Sequence, residues 1–337
     1  MYRKINFNTD YVLLFNTENN PGKTIKYLTG IESDYAILLI RKRGKPILFI
    51  SPLEKKPINK DIEIKTLNSL KQILSKIKQK KTVGLNYGEI SKQLFDILKK
   101  ELNDISIKDI SKDILKSRKI KEKDEIKKIS KAVKITEKIF KEVFKKIKSF
   151  KTENEVIQFI KKQILEEDVK QSFEPIVASG KNSMNPHYVP GKNSPLREGF
   201  CIIDMGVIYE GYCSDMTRTI YLKKTNSKSI IDEKIYLKVK EELKRLEKNI
   251  KTGDKTIEIT FPMIHAIGHG IGLDVHEEPT MNFSTLKENM TIALEPAIYK
   301  KQKGIRIENN YIIEKNKLKR LGTLDYKLRI IKNKHLI

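Results

Sequence analysis

The chain has 337 residues, 39% of them hydrophobic, which exceeds the roughly 100 to 200 residues of one domain and leaves room for two cores. Its formal charge is +25, yet the lysines run along the whole chain and are interleaved with acids, as in KEKDEIKK at 121–128, with no helix-turn-helix or zinc-finger signature, so a nucleic-acid partner is not expected. There is no apolar run of about 18 residues and no apolar stretch near the start, and Cys201 and Cys213 are too few for a disulfide framework, so the expectation is a cytoplasmic protein with free thiols and no membrane association.

The first third alternates short strands and helices. YAILLI (35–40) and PILFIS (46–51), separated by RKRGK, predict a β-hairpin, and TVGLNYG (82–88) predicts a strand leading to a helix with Leu94, Ile97 and Leu98 on one face. Residues 1–117 are therefore expected to form an α/β domain, ending where the chain becomes polar and highly charged at 118–124. Beyond it, Ile126, Ile129, Val133, Thr136, Phe140, Val143 and Ile147 recur at helical spacing, and Thr152 with Glu155 fits a capping box that starts a second helix over about 153–166. From Phe173 onward, strands and glycine-bearing turns dominate, interrupted by one charged helical stretch at roughly 231–250.

Acids occur within these apolar strands. In IDMGVIYEGYCSD, folding a hairpin about the turn at Tyr209 to Gly211 (midpoint 209.5) sets Asp204 and Asp215 directly opposite, with Cβ atoms about 4.5 to 5.5 Å apart. Two ionised carboxylates that close repel unless a cation lies between them. Glu295, ending TIALE, and Glu308, in GIRIENN, repeat the arrangement about a midpoint of 301.5 in the loop KKQKG. Strand alternation puts Cys213 on the face of Asp215 and Cys201 on the face opposite Asp204, so the thiols are not expected to pair.

HAIGHGIGLDVHEEP then holds His265, His269 and His276, three of the five histidines, in a segment whose glycines let the backbone approach a site closely. The spacing is not H-E-x-x-H, so a single-zinc helix is not implied.

The segments IDMGVIYEGYCSDMTRT, GHGIGLDVHEEP, MTIALEPAIY and GIRIENNY, in that order, resemble the creatinase and methionine aminopeptidase family. YLTGIESDYAILLI with PILFISPLE resembles the amino-terminal domain of its proline-specific branch, and SRKIKEKDEIKKISKA the start of its catalytic domain. The resemblance implies an α+β protein: a creatinase-like α/β domain at 1–117, then a catalytic domain of "pita-bread" fold at 118–337 with a curved, mainly antiparallel sheet. It implies a cytoplasmic homodimer that hydrolyses Xaa-Pro bonds, as a dipeptidase or an aminopeptidase, with a proline-containing peptide as substrate. Carried over by position, Asp204, Asp215, His269, Glu295 and Glu308 hold two divalent ions, and Glu295 is also the acid/base. The oxygen-rich set suits Mn²⁺ or Co²⁺, with Fe²⁺ or Zn²⁺ as alternatives.

By the same resemblance His276 contacts the substrate carbonyl or the tetrahedral intermediate, His187 in SMNPHYVPG is a catalytic and substrate-side histidine, His265 lies on the substrate side, and Arg306 lines the pocket. Asp274 and Glu277 have no ligand role in the family and are expected at the surface or behind the ligands. The chain departs from the family pattern where only 15 positions separate Gly253 from Gly268, too few for the usual helix and the following strand. A non-catalytic peptide- or nucleic-acid-binding scaffold on the same fold is the alternative reading. A metal-free hydrolase like the creatine-hydrolysing relatives is disfavoured, since those replace ligand positions that are intact here.

Overall fold

The computed structural model describes residues 2–3, 5–17, 22–227, 231, 233–255, 257–281 and 284–336. The chain divides into two compact units, Met1–Ser117 and Arg118–Ile337.

In the first unit the apolar runs become a six-stranded mixed sheet in the order Glu63–Thr66, Ile47–Ile50, Ala36–Arg41, Tyr11–Asn16, Thr82–Leu85, Ser106–Asp109. The expected hairpin is its centre, with Ala36 opposite Ile50 and Leu39 opposite Ile47. YVLLFN, not singled out in the sequence, supplies the Tyr11–Asn16 strand; its continuous apolar character suits burial on both faces. On helix Lys92–Glu101, Leu98 is buried and Leu94 half-buried, whereas Ile97 is exposed, so the helix lays a narrower stripe on the sheet than its pattern suggests.

The second unit begins with helix Lys123–Lys146, whose start is closed by a capping box of Glu122 and Glu125. Thr152 and Glu155 do the same for helix Glu153–Glu166. Phe140, Val143, Ile157 and Ile160 of these helices bury against Val177, Cys201, Ile203 and Ile220 of a sheet ordered Ile330–Asn333, Met216–Lys224, Gly199–Met205, Ile176–Ser179. Helix Glu233–Asn249 buries Tyr236, Val239, Leu243 and Leu246 in a second core that also takes Ile292, Leu294 and Tyr311. Those three residues belong to a five-stranded antiparallel sheet ordered Glu277–Thr280, Gly268–Gly270, Thr291–Leu294, Asn309–Glu314, Lys317–Arg320. Among the described residues from 251 to 267 there is no helix; Ile257 and Phe261 enter this core from irregular chain, replacing the element that the short spacing left no room for.

Register decides where the acids fall. Asp204 pairs with Thr217, not with Asp215. The turn is the two residues Glu210 and Gly211, both at positive φ (48° and 92°), and this tight geometry moves the hairpin centre one residue further along than the three-residue turn expected from the sequence. Asp215 therefore lies two residues from Asp204's partner, a diagonal neighbour on the same face. In the second hairpin the turn residues Lys301 and Gln302 (φ 49° and 62°) keep the expected centre, with Ala297 opposite Arg306 and Leu294 opposite Asn309. Glu295 and Glu308 fall between those pairs, in the same register. Cys201 and Cys213 are buried thiols with no disulfide between them.

Candidate metal centre

The two hairpins are stitched together at the acids. The Glu308 N–H donates to the Thr217 carbonyl (3.1 Å), and the Thr217 hydroxyl donates to Glu308 Oε2 (2.7 Å). Asn310 holds Asp215 from both sides, accepting its N–H (3.0 Å) and donating to its carbonyl (2.7 Å). His269 sits mid-strand between Gly268 and Gly270; a Cβ on either glycine would run into the backbone of Ala293 or of Glu278, so the strand can approach its neighbours this closely only without side chains there. His269 Nε2 then lies 3.6 Å from Asp215 Oδ2, 3.8 Å from Glu308 Oε1 and 3.9 Å from Glu295 Oε1. Donor atoms of Asp204, Asp215 and Glu308, and of His269, Glu295 and Glu308, come within 4.8 Å of one another.

This cluster is electrostatically incomplete. Asp204 Oδ1, Asp215 Oδ1 and Glu308 Oε1 are buried and have no hydrogen-bond partner among the described residues. Burial, reinforced by Asp204 and Glu295, pushes the Asp215 carboxyl well above the usual range; burial and Asp215 do the same to Glu308. Burial also raises Glu295, to about 7, and lowers His269 to about 4, helped by nearby His276. Among the described residues the one permanently charged side chain paired with these acids is Arg306, whose Nη2 is 2.5 Å from Asp204 Oδ2. Unsatisfied buried carboxylate oxygens are costly, and several converging on an imidazole form a donor set completed by a cation.

The rim is histidine-rich. His276 is exposed, its ring edge-on to that of His269 with centroids 4.2 Å apart, and with Asp215 and His269 it forms a further donor group. His265 Nε2 is 3.3 Å from the Tyr299 hydroxyl, and Nδ1 is 3.7 Å from Glu295 Oε2. His187 is exposed on the loop after the turn of helix Gly180–Met184, and burial, with Arg306 nearby, lowers the pKa of His265. Arg306, expected in the pocket, is only 4% exposed; besides Asp204 it donates to the Thr217 hydroxyl (3.1 Å) and the Tyr299 hydroxyl (2.9 Å), so it faces a carboxylate of the cluster.

Residues 127–315 match metallopeptidase family M24, and residues 8–120 match the creatinase/prolidase N-terminal domain. The chain belongs to metallopeptidase family M24. It is 32% identical to an Xaa-Pro dipeptidase of Pyrococcus furiosus over 90% of this chain and 92% of that relative. It is 37% identical to an uncharacterised peptidase of Methanocaldococcus jannaschii over 65% of this chain and 68% of the relative. Among solved structures it resembles the X-Pro aminopeptidase of Thermotoga maritima, with a TM-score of 0.81 and 26% identity over 96% of this chain and 98% of the other. The amino-terminal match places this M24 peptidase in the proline-specific branch of the family.

M24 membership implies divalent metal ions, and the cluster of unpartnered carboxylate oxygens together with His269 and Glu295 fits them. Of the two places expected for Glu277 in this M24 peptidase, at the surface or behind the ligands, the buried one holds. Glu277 is not at the surface: its side chain is 4% exposed, gripped by Arg118 Nη2 (2.6 Å) and Lys121 Nζ (2.7 Å), while Asp274 accepts from Arg118 (2.5 Å). The charged stretch 118–121 was read as a polar boundary, because ion pairs with residues some 150 positions away leave no local signal. Thr217, Tyr299 and Asn310 were missed for the same reason: each acts through a partner distant in sequence.

Proposed function

We propose that this M24 peptidase hydrolyses peptide bonds preceding proline, with Asp204, Asp215, His269, Glu295 and Glu308 holding a pair of divalent ions. The observation that carries the reading is that three buried carboxylate oxygens without partners among the described residues, on Asp204, Asp215 and Glu308, belong to one cluster of donor groups with His269 and Glu295, in a chain whose two parts match a creatinase/prolidase domain and an M24 domain.

Bound there, the ions supply Lewis acidity, lowering the pKa of a water and favouring negative charge on the attacked carbonyl oxygen. The chain's own groups do the rest. Glu295 is the most open of the four acids, its side chain 19% exposed against 2% for Glu308, so it is placed to take the proton of the attacking water and return it to the departing proline nitrogen. That transfer matters because an amide nitrogen within the proline ring carries no hydrogen and leaves only when protonated. His276, on the open side, donates to the scissile carbonyl or its tetrahedral adduct. His187 and His265 line the substrate side, and Arg306 secures Asp204 from beneath. The donor set favours Mn²⁺ or Co²⁺ over Fe²⁺ or Zn²⁺. The family resemblance extends the reading to a cytoplasmic homodimer.

The test is to incubate the protein with Mn²⁺ or Co²⁺ and matched Xaa-Pro and Xaa-Ala dipeptides, alongside Xaa-Pro-Yaa tripeptides. The expected result is EDTA-sensitive cleavage confined to the proline series, faster on dipeptides. Peptide binding with neither cleavage nor bound metal would instead identify a binding scaffold.

A further inference from the structure

Four ion pairs join residues 118–121 to residues 274–278. Arg118 reaches Asp274 (2.5 Å) and Glu277 (2.6 Å), Lys119 reaches Glu278 (2.9 Å), and Lys121 reaches Glu277 (2.7 Å). The Lys119 pair is partly exposed, whereas the Arg118, Lys121 and Glu277 side chains are 6%, 1% and 4% exposed. Two cations on one carboxylate away from water are a poor way to add stability, since an apolar cluster of the same volume does as well or better; what such a group does supply is a fixed geometry.

That geometry bears on the metal centre. Glu277 accepts the Asp274 N–H (3.3 Å), and its carboxylate fills the space a Cβ on Gly272 would need, so the chain from 272 to 277 wraps around its own side chain. The wrapped turn carries His276 to the site, where its ring packs edge-on against that of His269 with centroids 4.2 Å apart. Among the described residues no hydrogen bond holds the His276 ring, so its place is set by the backbone on either side.

We propose that Glu277, gripped by Arg118 and Lys121, is a positioning residue: it holds the 272–277 turn so that His276 stands over the reacting centre, edge-on to His269. The catalytic half of this inference rests on the placement of His276 on the substrate side made above. Groups behind a metal site that orient the side chains facing it commonly tune affinity or activity by 10- to 100-fold.

The experiment uses the charge-balanced double variant Lys121→Met/Glu277→Gln, which removes one buried cation with one buried anion and leaves the Arg118–Asp274 pair. With only five histidines, the ring proton–nitrogen correlations of the metal-free chain are resolvable by NMR. The expected result is a cooperative melt with displaced His269 and His276 ring signals and an unmoved His335 signal. With metal added, kcat on an Xaa-Pro dipeptide falls about tenfold or more while KM changes less than about threefold. If the double variant does not fold, Arg118→Lys, which keeps the charge but loses the two-acid reach, is measured in the same way. Ring signals that stay in place, or that move without a fall in kcat, overturn the proposal. Should the wild-type protein cleave no Xaa-Pro peptide, the functional reading fails by itself, and the ring signals still decide whether Glu277 holds the turn.

Discussion

The metal centre has a floor of acids and a rim of histidines, built in different ways. Asp204, Asp215 and Glu308 have side chains 9%, 7% and 2% exposed, on or beside paired strands whose backbone hydrogen bonds fix them within two hairpins. His187 and His276 are exposed on irregular chain, and His276 is placed only by the turn that carries it. A buried floor with unpartnered oxygens demands a cation; an open rim can meet a substrate. The two should therefore fail differently when altered.

The largest effect is expected on the floor. Asp215→Asn keeps the shape but removes a buried charge, and should cost on the order of 10³-fold in kcat/KM together with bound metal. Elemental analysis beside the kinetics checks this, and full metal content in the inactive variant would erase the distinction between floor and rim. His276→Ala should lower kcat by about 10²-fold with metal content intact. Loss of metal in that variant would move His276 from rim to floor, a role its closeness to Asp215 and His269 makes worth testing.

A pH series sharpens the contrast without mutation. In the metal-free protein Glu295 is raised from the ordinary 4.5 to about 7, so its contribution to stability is complete below 4.5 and is lost as pH rises to 7. His269 is lowered from 6.5 to about 4, so its contribution is present above 6.5 and is lost as pH falls through 4. Metal must displace the Glu295 proton below pH 7, so apparent affinity should fall roughly tenfold per pH unit for each proton displaced, and the gain in melting temperature on adding Mn²⁺ should grow as pH rises towards 7. Calorimetry at a series of pH values reads both. The smallest effect is expected for Tyr299→Phe, which removes a hydroxyl accepting from Arg306 and lying near His265, and should change kcat/KM by about two- to tenfold without loss of metal.

The same division governs what the sequence revealed. The four acids were legible because acids inside apolar strands contradict their surroundings and hairpin symmetry brings them together, and His269 because it clusters with His265 and His276 in a glycine-rich segment. Where the turn was read correctly, at Lys301 and Gln302, the opposition of Glu295 and Glu308 was right; where a three-residue turn was assumed in place of Glu210–Gly211, the partner of Asp204 came out two residues early, although its face was right. The helices at 153–166 and 123–146 followed from capping chemistry and periodicity. The ion partners of Arg306 and Glu277 were not legible, because a charged residue in an exposed-looking context gives no sign that a distant opposite charge will bury it.

The central claim is that the acid floor is a binding site for divalent metal, and the most direct test is titration of the metal-free protein with Mn²⁺ at pH 7.5, read by calorimetry and elemental analysis. The account predicts about two ions per chain, with proton release on binding, and a loss of at least one of them in Asp215→Asn. Binding of no Mn²⁺, Co²⁺, Fe²⁺ or Zn²⁺ by the wild-type chain, or undiminished binding by Asp215→Asn, would contradict it.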